Sequence, residues 1–91
     1  MSGAGWRVEI APAAQRQLRK LPPDHAARLR GPILALAIDP RPPGAGRLAG
    51  SSFWRLRVGN LRVVYVIDDA VRLVVVVRVV RRGESTYRRV R

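Results

Sequence analysis

The segment Phe53–Tyr65, FWRLRVGNLRVVY, constrains this chain more than any other. Apolar residues and arginines alternate from Trp54 to Val58, break at Gly59-Asn60, and resume around Arg62. Alternation of period two is the mark of a strand with unlike faces. A Gly-Asn break between two such runs is a hairpin signal. Arg55 and Arg57 then leave one face, and Trp54, Leu56 and Val58 leave the other. The hairpin brings Arg62 close to Arg57. Three guanidinium groups on one sheet face repel one another, so the pattern points to a polyanion as their counterpart.

Charge supports that direction. The 91 residues carry 18 basic and 6 acidic side chains, a formal net charge of +12. Small soluble domains manage with a magnitude of about 2–8. The excess favours nucleic acid, an acidic protein or an anionic surface as partner. Lys20 is the one lysine among the basic residues. The abundance of Ala, Pro, Gly and Val beside Arg fits a GC-rich coding sequence, which explains arginine over lysine but not the charge excess. With no cysteine and a single histidine, His25, a disulfide framework or a zinc site built on these ligands is excluded, and no cofactor is expected. No apolar run has transmembrane length and the first residues lack a signal-peptide core, so a cytoplasmic protein is expected.

The length suits one domain spanning residues 1–91. Trp6–Ile10 alternates and reads as a strand. Ile10, Ala14, Leu18 and Leu21 follow helical spacing, with Pro12 fitted to a first turn. Pro22-Pro23 closes that helix and opens a second, predicted from about Pro23 to Ile38, with Leu29, Ile33, Leu36 and Ala37 inward and a kink or break at Gly31-Pro32. Residues 39–50 read as a proline- and glycine-rich loop. Strands follow at Phe53–Val58, Leu61–Ile67 and Val71–Val80. The unbroken apolar run Leu73–Val77 suggests a strand covered on both faces. The order β-α-α-β-β-β predicts an α+β fold: a helical hairpin on one face of a four-stranded, mainly antiparallel sheet. Tyr65 and Trp54 are expected in the core, and His25 on the surface.

Several pieces in this order resemble the RelE-type toxins of the RelE/ParE superfamily: WRVEI, LRKLPP, ALAIDPRP, RLAG, FWRLRVGNLRVVYVIDD, and an ending with Arg81 and Tyr87 in the spacing R-x5-Y. RVGNLRVVY is similar to the family segment RVG-x-[YL]-R-[VL]-[VLI]-Y. The resemblance spans nearly the whole chain. It implies a type II toxin with an acidic cognate antitoxin. In the RelE branch it implies an endoribonuclease that enters the ribosomal A site and cuts mRNA by attack of a 2′-hydroxyl on the adjacent phosphate. Carried over by position, the family's active residues fall on Arg55, Arg57, Arg62, Arg81 and Tyr87. Arg57, Arg62, Arg81 and Tyr87 are expected to be catalytic, and Arg55 to contact substrate together with Arg47 and Arg82. The RelE pattern has lysines where this chain has Arg55 and Arg57. Arginine keeps its charge far above neutral pH, so an arginine at position 57 is a poor general base. That leaves Tyr87 as the expected proton-transfer residue, its phenolate favoured by nearby guanidinium groups. A ParE-like toxin that poisons DNA gyrase and a non-catalytic nucleic-acid-binding module remain as alternatives.

Overall fold

The computed structural model describes residues 5–81. Strand β1 (Arg7–Ile10) leads directly into helix α1 (Pro12–Lys20), which Pro12 opens at its first position. Helix α2 (Pro23–Ala35) follows after one turn, again entered through a proline. A loop then delivers β2 (Ala45–Arg47), β3 (Phe53–Val58), β4 (Leu61–Asp68) and β5 (Leu73–Arg81). The sheet order is β1-β5-β4-β3-β2, with β1 parallel to β5 and every other pair antiparallel. This is the expected α+β class with five strands instead of four. The additional strand, β2, lies inside the segment predicted as loop. Its sequence Ala-Gly-Arg carries no alternation; it is extended because Ala45, Gly46 and Arg47 pair with Leu56, Arg55 and Trp54.

Both helices lie on one sheet face. Ala14, Leu29, Ile33 and Leu36 pack there against Leu56, Leu61, Val63, Tyr65, Val74, Val76 and Val79. Helix α2 ends at Ala35, three residues before the predicted end, and Leu36 caps it with a helical φ of −64°. Pro32 sits inside the helix without splitting it. Its missing N–H removes one backbone bond, and the burial of Leu29 and Ile33 on either side holds the turn together.

A bulge fixes which residues of β5 face the helices. Val64 pairs with Arg78 and Tyr65 with Val76, so Val77 is an extra residue. The inward set therefore changes from Val74 and Val76 to Val79, and Arg78 turns to the opposite face. Gln17 of α1 accepts a hydrogen bond from the Val79 N–H through Oε1 at 2.7 Å, satisfying an edge donor just past the bulge. Leu73, Val75 and Val77 are half-buried rather than covered. Strand β5 is interior to the sheet, as the apolar run implied, but neither α1 nor α2 covers its second face.

The loop after α2 is fastened at several points. The buried Tyr65 hydroxyl donates to the Pro40 carbonyl at 2.7 Å. Arg41 reaches Asp69 with two nitrogens, at 3.3 and 2.9 Å, and its guanidinium lies 5.2 Å from the centroid of the Trp54 ring. That two-pronged hydrogen bond holds the Asp69 carboxyl below its usual pKa. Burial pushes the Tyr65 phenol up to about 12. Trp54 and Tyr65, expected in the core, are thus tied to one loop. His25 departs from the surface reading: it is half-buried, and its Nδ1 is shut from solvent without a partner.

Candidate nucleic-acid interface

The face away from the helices is assembled by register. Arg57 stands directly opposite Arg62, and Arg62 opposite Val80. One row along, Gly46, Arg55, Val64 and Arg78 form a line across four strands. Beyond it, Phe53, Val66 and Val75 form a third line. Arginines therefore occupy the end of the face near the Gly59-Asn60 turn, and apolar side chains adjoin them. That turn has Gly59 at φ 60°, and Arg72 is the one non-glycine of positive φ among the described residues. Glycine alone at the first central position is the type II′ arrangement, whose twist suits the flanking strands.

Arg57 is exposed, while Arg62 is half-buried with its Nε sealed from solvent and unpaired. A buried donor without a partner costs about 1–3 kcal/mol. Like charges directly opposite across two strands add to that cost. The ion pairs among the described residues join Arg7 to Glu9 at 3.2 Å and Arg41 to Asp69 at 2.9 Å, and neither neutralises this pair. Arg55 lies across β2: a Cβ at Gly46 would sit 3.9 Å from its Cζ and both terminal nitrogens. Gly46 leaves that strip of surface open to the guanidinium. From α2, Arg28 brings a nitrogen to 3.4 Å from where a Gly59 Cβ would lie.

Arg55, Arg57 and Arg62 thus stand together as the alternation implied. The other candidates are placed differently. Arg47 pairs in register with Trp54, so it leaves the sheet on the helix side, and its Nε donates to the Ser51 carbonyl at 3.2 Å. Arg81 closes β5 opposite Leu61, which sets its Cβ on the helix side of the strand end, and the residue is half-buried and engaged. Arg82 and Tyr87 lie outside the described residues. Two cations escaped the sequence reading. Arg78 reaches the arginine face through the bulge, which no periodicity signals, and Arg28 approaches the turn through helix packing. Among the described residues no group of His, Cys, Asp and Glu is arranged to hold a metal ion. No described helix is long and apolar enough to cross a membrane.

The Arg57–Arg62 repulsion has a measurable consequence. Arg57→Gln is expected to raise stability by about 0.2–1 kcal/mol at low salt, since it removes one of two facing like charges. The gain should shrink as salt screens the pair. Urea unfolding at two ionic strengths measures both, and a loss of stability would show Arg57 to be a structural contact.

Comparison with known proteins gives this geometry its family. Residues 8–86 match the model described as the ParE toxin of the type II toxin–antitoxin system parDE. A Methanocaldococcus jannaschii sequence that carries the provisional name toxin RelE1 is 32% identical over 89 residues, covering 91% of this chain and 96% of the relative. The toxin of the Mycobacterium tuberculosis RelBE2 toxin–antitoxin complex superposes with a TM-score of 0.78 at 30% identity, covering 86% of this chain and 99% of that one. The Pyrococcus horikoshii RelE–RelB complex gives 0.77 at 24% identity, covering 88% and 98%, which supports the fold. With a helical hairpin on one side of the sheet and paired arginines on the other, the chain belongs to the RelE/ParE superfamily of type II toxins.

Proposed function

We propose that this toxin is a ribosome-dependent endoribonuclease that cleaves mRNA in the A site. The observation that carries the reading is the Arg57–Arg62 pair, two facing cations with a buried, unpartnered donor on a sheet face that neither α1 nor α2 covers. Preorganised positive charge of this kind suits a phosphorane, which holds more negative charge than the phosphodiester it forms from. In the reaction, the 2′-oxygen bonds to the adjacent phosphorus as the bond to the 5′-oxygen breaks. The products are a 2′,3′-cyclic phosphate and a 5′-hydroxyl end. Arg57 and Arg62 hold and stabilise the phosphate, Arg81 assists from the end of β5, and Tyr87 moves the proton. Arg55 and Arg82 contact the RNA backbone, whereas Arg47, expected to join them, leaves the opposite face of the sheet and is left out of this contact. No metal or cofactor is invoked.

The partner of this surface outside the ribosome is a cognate antitoxin. The similar Mycobacterium tuberculosis and Pyrococcus horikoshii toxins are solved in complex with RelB antitoxins. An acidic segment wrapped on the arginine face would neutralise it or displace the chain after Arg81.

A second reading, inhibition of DNA gyrase, is favoured by the ParE description of the matching family model. A translating extract followed by primer extension separates the two. Cuts within A-site codons are expected. Loss of gyrase supercoiling with intact mRNA would establish the second reading in place of the first, and neither effect would leave a binding module.

A further inference from the structure

The apolar line beside the arginines has no role in the phosphate chemistry. Phe53 opens β3 on the same face as Arg55 and Arg57, yet it is 40% exposed. Its backbone is fixed from both sides: its N–H donates to Ser51 Oγ at 3.1 Å, and its carbonyl accepts from Leu48 N–H at 2.9 Å. Val66 stands opposite it, and Val75 opposite Val66, both half-buried. The result is a short apolar platform whose aromatic end borders Arg55. Packing of a ring on a β-branched neighbour explains the Phe53–Val66 pairing. It does not explain why so much of the ring faces water beside a row of cations.

Spacing suggests the occupant. Residues i and i+2 on a strand are about 6.6–6.8 Å apart. Phe53, Arg55 and Arg57 therefore repeat at nearly the phosphate-to-phosphate interval of an extended single strand. Positive charge alternating with an aromatic face is the general solution for single-stranded nucleic acid, where bases stack and the backbone is neutralised. An acidic protein segment would satisfy the arginines but has no need of the ring.

We propose that Phe53, with Val66 and Val75 beside it, is a stacking platform for one unpaired RNA base. That base belongs to a nucleotide next to the phosphate held by Arg55. The assignment rests on the reading of this face as an RNA surface and adds to it a base-contact residue. Phe53 touches neither the scissile phosphate nor a transferred proton, so its contribution is affinity and placement.

The experiment uses the full chain and a fluorescein-labelled, 2′-O-methyl RNA hexamer, which cannot be cleaved. A second hexamer carries one abasic position, moved along the strand in turn. Anisotropy titration gives affinities for the wild type, Phe53→Ala, Phe53→Trp and Arg62→Gln. Phe53→Ala is expected to weaken the intact hexamer about tenfold, and Phe53→Trp to retain wild-type affinity. One abasic position should bind the wild type and Phe53→Ala equally. Unchanged affinity in Phe53→Ala with a loss in Arg62→Gln overturns the platform and leaves the RNA reading standing. Unchanged affinity in both variants overturns both. Equal losses on the intact hexamer and on every abasic hexamer would mean that Phe53 acts through the fold, and would also overturn it.

Discussion

Replacing Tyr87 by phenylalanine is expected to lower mRNA cleavage by about 10²–10⁴-fold, the usual worth of a positioned proton-transfer group. Ribosome and RNA binding should stay at the wild-type level, because the ring and every arginine remain. Arg62→Gln should behave differently. Loss of one donor to the developing phosphorane costs about 10²–10³-fold in rate. In the proposed mechanism Arg62 also holds the ground-state phosphate, so affinity should fall with it. The contrast between a pure rate defect and a mixed defect is read from single-turnover cleavage on programmed ribosomes, with binding measured separately on 2′-O-methyl mRNA. A Tyr87→Phe protein that still cleaves would remove tyrosine from the mechanism. Attention would then pass to Arg57, whose guanidinium holds its protons too firmly for easy base catalysis. Weakened binding alone would make Tyr87 a docking residue.

The split between these residues follows what the sequence made legible. Alternation in FWRLRVGNLRVVY placed Arg55 and Arg57 on one face, and the Gly59-Asn60 turn placed Arg62 opposite Arg57. Period and turn chemistry are local, so the residues themselves declare them. Helix positions at Ala14, Leu29 and Ile33 were legible for the same reason, through spacing on one face. What stayed hidden depends on contacts between distant segments. Strand β2 has no pattern of its own and exists by pairing with β3. The bulge at Val77 shifts β5 by one residue, which moved Arg78 onto the arginine face and turned Arg81 toward the side of Leu61. Within an unbroken run of valines no position marks where such a shift falls. Burial of the Arg62 Nε likewise depends on the assembled sheet.

Tyr65→Phe is expected to cost about 1–3 kcal/mol, because it strands the Pro40 carbonyl that the buried hydroxyl now satisfies. The ring still fills its place in the core, so the loss belongs to the hydrogen bond. The same residue sets a limit at high pH. Its phenol titrates at about 12 in the folded chain, mainly because burial disfavours the anion. In the unfolded chain it titrates near 10. Below pH 10 both states keep the proton, and stability from this group does not change. Above pH 10 the unfolded chain releases its proton first. Stability therefore falls as pH rises from 10 to 12, by about 2–3 kcal/mol in all, and levels off beyond. Wild type and Tyr65→Phe should differ most at pH 8 and converge toward pH 12. Urea unfolding across that range tests the claim, with other alkaline effects common to both chains. A constant difference at every pH would mean that Tyr65 is no more reluctant to ionise in the fold than outside it. The clamp on the loop would then lie chiefly with Arg41, between Trp54 and Asp69.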